Sequence, residues 1–536
     1  MEWGVVATGL IYAAYFVLRY RGLWMENDTA VFSQVTARTL AAGTIFFPGQ
    51  YPHGYGYPAW SAMLAVATGL RPAVLQTAVL PYVGILLLMV PSLLLFSLLL
   101  RSRRVAAWSV LLMLLAPDLT FAVLRGNHEK LNIALLLISF YVLFQGFEAV
   151  RARRMGRLAV WVVLFYLCAF LNASVNDYFA SSFVLAEGVT VAVIWFLQRR
   201  GRHRAATART PVRQLWLAVA SSWLLVWWVM LFVFLPAGHD FRLVAGAGRK
   251  LLDLFESLHG SSNPFTKVAQ EWAGRGAQFA VAAFRYVLAL GSFGTWCVLV
   301  WRAWRRGRGR WARLERLFLF GAYAGFALSV AAAVPLDFSG LGAGSNLEVR
   351  NFTYFALLAA PLFAVGLHTL RARARWRRLR ARKSPRPVRR AVFFPGAVVV
   401  RIGFALLCGA FLVVSLWKVT LDPLVSNQWM FYTPAEGEAL VAFSSHAVDS
   451  ALWAGPDDRL PDVMGAMVPI AAHGDQVVGY AIAKRPQIRD LLISPAIIAN
   501  CLVEGFPLPY LGGKDRIYDD GGARIYRDAP ETIFED

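Results

Sequence analysis

Eleven carboxylates stand in the segments that separate long apolar runs: Glu26, Asp28, Asp118, Glu129, Asp177, Asp240, Asp253, Glu256, Glu271, Asp337 and Glu348. A carboxylate beside a hydroxyl can take its proton while the oxygen attacks an electrophilic carbon. Arginine, always charged and able to bind bidentately, suits an anionic group. One compact polar run, Arg125 to Lys130 (RGNHEK), combines both residue types with His128, and Arg350 opens an apolar segment, LEVRNFTYFALLAAPL. Glu187 lies in the middle of another apolar run, where a carboxylate needs a partner or a cavity. The four cysteines, Cys168, Cys297, Cys408 and Cys501, have no metal-ligand spacing. No phosphate-binding loop, dinucleotide fingerprint, zinc-protease motif or nucleophile elbow stands in a fitting context.

The elements that must position these groups are membrane helices. Of 536 residues, 58% are hydrophobic and the mean hydropathy is +0.51, against about 45–50% apolar in soluble chains. A span needs about 20 apolar residues. About eleven candidates lie near 3–18, 73–100, 105–124, 131–150, 158–172, 178–198, 215–236, 277–301, 317–335, 352–370 and 393–417. Arginine-rich loops follow every even span: Arg101, Arg103 and Arg104; Arg151, Arg153, Arg154 and Arg157; six arginines over 199–213; seven over 302–316; and eleven Lys or Arg over 371–390. Positive loops stay in the cytoplasm. The expected topology therefore has the N-terminus inside and the C-terminus outside, and all eleven carboxylates fall on the outer side. The first apolar segment, with no basic residues before it, reads as a retained span.

Residues 1–418 carry a net charge of +31 and residues 419–536 a net of −9. The basic surplus sits in short runs between spans, which fits orientation and anionic lipid and excludes a nucleic-acid surface. Two outer loops are long, 19–72 and 237–275, each with an amphipathic helix expected at the interface. In the first, Asn27 or Asp28 caps the helix, Val31, Phe32, Val35 and Leu40 recur at helical spacing, and Gly43 stops it. An aromatic Gly/Pro turn and a short helix near 58–70 follow. The segment 419–536 reads as a small extracytoplasmic α/β domain. Its expected elements are a helix from Thr433 and Pro434, strands over 451–454 and 477–483, and a hairpin around Asp519-Asp-Gly-Gly522.

A first span, an acidic residue at the outer boundary, an amphipathic helix and then Gly43 with Tyr51-Pro-His-Gly-Tyr-Gly-Tyr-Pro58: this order resembles the GT-C superfamily of integral membrane glycosyltransferases. The resemblance covers the architecture of the whole chain and rests on single residues in context. It implies an all-α polytopic fold and inverting transfer of a sugar to an acceptor hydroxyl. The donor would be a polyprenyl-phosphate-linked sugar and the acceptor a glycan, lipid or protein, met outside the cytoplasm at the cell membrane.

Residue by residue, the resemblance makes Asp28 the general base. It makes Asp118 or Glu129 the second acidic position and Arg350 the basic residue that opens a late span and holds the leaving phosphate. Around them, Arg125, His128, Lys130, His53, Tyr57 and Glu26 are candidates for contact with donor or acceptor. Glu-Asn-Asp stands where Asp-x-Asp would, which leaves use of a divalent metal open. Two other functions suit the architecture. One is a polysaccharide polymerase or ligase, for which His239, Arg242, Arg249 and His259 of the loop 237–275 speak. The other is a transporter or lipid flippase, against which stand the lack of an internal repeat and the gathering of polar residues outside rather than at mid-depth.

Overall fold

A computed structural model gives the fold. It describes residues 2–19, 27–45, 54–201, 209–228, 275–305, 314–338 and 347–383, and in the C-terminal part short stretches between 402 and 454, then 490–495 and 514–528. The side chains of Asp28, Asp177 and Arg350 lie outside the described set, as do all of residues 20–26, 46–53 and 229–274. Glu26, His53 and the described chain's second long loop therefore fall outside it.

The fold is helical. The order is α1 (Glu2–Arg19), α2 (Asn27–Ala42), α3 (Gly56–Thr68), α4 (Pro72–Val74), α5 (Leu80–Leu100), α6 (Arg103–Leu114), α7 (Pro117–Leu124), α8 (Glu129–Arg151), α9 (Met155–Val175), α10 (Asp177–Gly201), α11 (Arg209–Trp228), α12 (Arg275–Arg305), α13 (Leu314–Phe338) and α14 (Leu347–Lys383). Among the described residues, five helices are long and apolar enough to cross a membrane. A sixth is possible if the bent pair α6 and α7 counts as one, and four shorter apolar helices accompany them. The chain is a multi-pass membrane protein by this measure.

Three departures from the sequence reading have physical causes. The span expected at 105–124 is broken: α6 and α7 meet at 81°. Pro117 lacks an amide hydrogen and holds Ala116 in an extended conformation (φ −82°, ψ 108°). The buried carbonyl of Leu114, left without a helical partner, accepts instead from the Thr120 hydroxyl at 2.8 Å and from the Ser415 hydroxyl at 3.3 Å. With twelve residues α6 reaches only about 18 Å, so α7 turns across the bundle rather than finishing a straight crossing.

The second departure is in α2. Its buried face carries Phe32 and Val35 but also Thr29, Ser33, Thr36 and Thr39. Ser33, Thr36 and Thr39 each donate to the carbonyl four residues back. That self-satisfaction lets hydroxyls pack against protein, and α2 lies on α3 and α4. Third, α14 runs on past its apolar part to Lys383. Arginine, leucine and alanine are good helix formers, and the helix ends just short of Pro385.

Charge contacts sort the loops by end. Arg101, after α5, pairs with Glu315 at the start of α13, so two arginine-rich connections share one end of the bundle. Between α4 and α5 the backbone makes a π turn over Leu75–Val79 ahead of Pro81, which resets the hydrogen-bond ladder and turns Gln76 inward.

In the C-terminal part the expected hairpin is present. Strands β3 (Lys514–Asp519) and β4 (Arg524–Asp528) are antiparallel, and β2 (Asp490–Ile493) and β1 (Trp453–Ala454) extend the sheet in the order β1-β2-β4-β3. Gly521 takes a positive φ of 85° at the turn. The Asp520 carboxylate accepts from the amides of Gly522 and Ala523 there. Strand β2 has no flanking turn signal and was not legible in the sequence. The strand expected at 477–483 and the boundary expected at 418/419 lie outside the described residues.

Candidate functional site

The site is organised by α7, a helix of eight residues and about 12 Å. Its N-terminal end carries Asp118, and its C-terminal end runs into Arg125. Each end meets a different part of the chain.

At the first end Asp118 is buried and grips Arg285 of α12 bidentately. Nε donates to Oδ2 at 2.8 Å and Nη2 to Oδ1 at 3.0 Å. The same guanidinium stands 5.8 Å from the centre of the Phe352 ring on α14, which adds a cation–π attraction. Asp118 is also the acidic residue of the first turn of its helix, where the backbone dipole favours negative charge. The break before Pro117 thus points a carboxylate at an arginine set inside an otherwise apolar helix.

At the other end Arg125 pairs with Glu129 (3.3 Å) and lies 5.0 Å from the centre of the Phe121 ring. The amide of Gly126 donates to the Thr29 hydroxyl at 2.8 Å. This buried bond joins residues 97 apart and seats the first turn of α2 on the loop between α7 and α8. A Cβ at position 126 would meet Thr29 Cγ2 at 2.8 Å and Gln76 Oε1 at 3.0 Å. Gly126→Ala is therefore expected to push α2 off the loop. The stability loss should be about 1–3 kcal/mol, read as a lower thermal midpoint in detergent, with a matching fall in activity. An unchanged midpoint would mean that the approach of α2 is slack.

Aromatic rings close the space between. Phe32 of α2 meets His128 at 5.3 Å and Tyr57 at 4.9 Å, both edge to face, and Phe179 of α10 lies 5.8 Å from His128. Such pairs each add about 0.5–1.5 kcal/mol beyond area burial. His128 Nε2 stands 3.0 Å from Asn176 Nδ2. Asn127 Oδ1 accepts from the Glu129 amide at 3.2 Å, while its buried Nδ2 meets no acceptor in the structure. Among the described residues, then, that donor is left for a partner outside them.

Two residues expected to touch substrate face the interior. Tyr57 is fully enclosed; its hydroxyl donates to Gln76 Oε1 at 2.6 Å, and Gln76 in turn donates to Ser61. Lys130 is also fully enclosed, with Nζ donating to the Leu80 carbonyl at 3.3 Å. Tyr57 ties α3 to the π turn, and Lys130 ties the first turn of α8 to the start of α5. Both oxygens of Asp118 are held by Arg285. Glu187 has the partner its depth demands, the Ser139 hydroxyl on α8.

Asp28 is the second residue of α2 and adjoins Thr29, so its backbone stands at the Arg125 end of α7. Arg350 lies on the first turn of α14, two residues before Phe352, so its backbone stands at the Asp118 end. Arg125, His128 and Glu129 lie between. Glu26 and His53 are outside the described residues. Sequence reasoning missed Arg285 and Asn176. A lone arginine inside the apolar run 277–301 was the available signal for the first. The second had only its place before Asp177 as a helix cap.

No protein-family model matches the sequence, and neither does any curated protein. Solved structures do match. The archaeal oligosaccharyltransferase AglB from Archaeoglobus fulgidus, in complex with an inhibitory peptide and a dolichol-phosphate, superposes with a TM-score of 0.53 at 11% identity over 99% of this chain and 74% of that one. The chain has the GT-C fold. ArnT from Cupriavidus metallidurans bound to undecaprenyl phosphate gives 0.51 at 13% identity, with 98% of both chains covered. AglB in complex with Zn and sulfate gives 0.55 at 11% identity over 98% of this chain and 73% of that one. At these identities the likeness is one of fold, and the GT-C frame accounts for the helical bundle with short helices seated at one end.

Proposed function

We propose that this chain is a membrane glycosyltransferase that moves a sugar from a polyprenyl-phosphate donor to an acceptor hydroxyl on the non-cytoplasmic side, with inversion. One observation carries the reading. The backbones of Asp28 and Arg350, more than 300 residues apart in sequence, flank the two ends of the same two-turn helix. Glycosyl transfer needs that pairing of a base and an anion holder. The AglB and ArnT structures with dolichol-phosphate and undecaprenyl phosphate support a lipid phosphate as the donor's carrier.

In the proposed step the acceptor oxygen attacks the anomeric carbon from the face opposite the phosphate. Its proton passes to the Asp28 carboxylate. The bond from the anomeric carbon to the phosphate oxygen breaks, and the electron pair leaves with the polyprenyl phosphate. Arg350 holds that anion as it forms. Arg125 and the Asn127 amide supply further donors on the loop between. The acceptor is a glycan, lipid or protein hydroxyl.

Of the two candidates for the second acidic position, Asp118 is not placed to hold a metal. Both Asp118 oxygens are engaged by Arg285, and among the described residues no three ligating side chains gather. No step is assigned to a metal.

The test is transfer by the purified chain in proteoliposomes supplied with a radiolabelled sugar on undecaprenyl phosphate and a cell-envelope extract as acceptor. Label should move from lipid to acceptor, and free polyprenyl phosphate should appear. Label that crosses the bilayer still attached to its lipid would sink the enzyme reading in favour of a flippase. In the same assay Arg350→Ala should raise the KM for donor roughly 10- to 100-fold, the worth of one or two charge-assisted hydrogen bonds. An unaltered KM would remove Arg350 from the donor site.

A further inference from the structure

The Asn176 amide has only one orientation that fits its neighbours. Its Oδ1 accepts from the Phe179 amide at 3.0 Å, capping α10. Turning the amide over would set two donors face to face, so Nδ2 must point at His128 Nε2, 3.0 Å away. Because Nδ2 only donates, Nε2 must accept, and the ring's proton lies on Nδ1. The helix cap thus fixes a tautomer that coordinates alone would leave as an assignment.

From this we propose, on top of the glycosyltransferase reading, that Asn176 is a positioning residue which holds His128 in the neutral form protonated on Nδ1. Locked in that form, His128 does not act as a second base in the reaction. Nε2 is occupied as an acceptor, and Nδ1 already carries its proton. The acceptor's proton then has a carboxylate as its destination.

The surroundings favour this state. Rings of Phe32 and Phe179 pack around the imidazole, which is 5% exposed. His128 also stands just before the N-terminus of α8, where the helix dipole opposes a cation. The charged groups of its own segment are Arg125, Glu129 and Lys130, with Arg125 and Glu129 paired. The elements packed on it bring Asp28 at the start of α2 and Asp177 at the start of α10. Protonation at Nε2 would turn two donors toward each other and open the contact between α8 and α10.

The decisive variant is Asn176→Asp. Aspartate caps a helix as well as asparagine does, so α10 should keep its start, and the thermal midpoint should match the parent. Its carboxylate, however, accepts where the amide donated, which draws a proton onto Nε2. Selective nitrogen-15 labelling of histidine in nanodiscs, with the His128 signal assigned by its loss in His128→Gln, reads the ring directly. The parent should show Nε2 bare and Nδ1 protonated at neutral pH. Asn176→Asp should show Nε2 protonated. Asn176→Ser, which keeps a cap but offers no fixed amide donor, should show a mixture of tautomers.

In the transfer assay Asn176→Asp should lose about tenfold in kcat. It should also gain an ionisation between about pH 5 and 8 that the parent profile lacks. A parent ring with Nε2 protonated would overturn the proposal, as would Asn176→Asp with the parent's rate and pH profile. A parent with no transferase activity would instead sink the glycosyltransferase reading, and the ring signal would still decide the lock.

Discussion

Asp28→Asn is expected to lower kcat for sugar transfer by about 10²- to 10⁴-fold, the usual contribution of a positioned general base. The donor KM should stay within a few-fold of the parent. Asparagine is as good as aspartate at the start of a helix, and position 28 lies on the first turn of α2, so the fold should survive. What disappears is the carboxylate's negative charge and with it the ability to accept a proton. The neighbouring bond from Gly126 to Thr29 is made by other groups and keeps α2 on its loop in the variant. The measurement is single-turnover transfer from labelled lipid-phosphosugar in proteoliposomes, with the thermal midpoint followed in parallel. Full activity would remove Asp28 as the base and return it to the role of a helix-end carboxylate.

The second large effect is on stability. Asp118→Asn should cost about 3 kcal/mol, at the lower end of what breaking a buried ion pair costs. Its carboxylate is 6% exposed and the Arg285 side chain 20% exposed, so some solvent screening remains and the upper end does not apply. In the variant a guanidinium stays among apolar neighbours beside Phe352 with one acceptor in place of two. Loss of the pair should also free α7, and with it the loop that carries Arg125, Asn127 and His128.

The double variant Asp118→Leu with Arg285→Met removes both charges together and should regain most of the stability and part of the transfer rate. Thermal unfolding in detergent and the transfer assay read both. A stable but inactive double variant would assign Asp118 to the chemistry. An Asp118→Asn single variant as stable as the parent would show that packing alone holds α7.

Some of this was legible in the sequence, and the reason is local. A membrane span shows itself through 20 consecutive residues, so helices appear where the apolar runs stand, from Glu2–Arg19 to Leu347–Lys383. The hairpin around Asp519 to Gly522 follows from turn residues that admit a positive φ. Asp28 and Arg350 stand out in the sequence because each is a charge at the edge of an apolar element.

Other features needed partners that no window of sequence contains. The run 105–124 reads as one span, and that α6 ends before Pro117, at 81° to α7, with Asp118 facing Arg285 of α12, more than 150 residues further on, shows only in the fold. Tyr57 and Lys130 have the residue types of a binding site, and only the fold shows that both are enclosed, one on Gln76 and the other on the Leu80 carbonyl. Asn176 reads as a helix cap in the sequence; only the arrival of His128 gives the other end of its amide a task.

What the sequence determined by itself is therefore the set of apolar runs that become helices and the charges that stand at their ends. Propensity, hydropathy and loop charge act over a few residues or one span. The tertiary structure alone decided which of those charges pair with each other, as Asp118 does with Arg285 and Arg125 with Glu129. A buried charge takes its state from whatever lies within a few ångströms, however far away in the chain that partner stands.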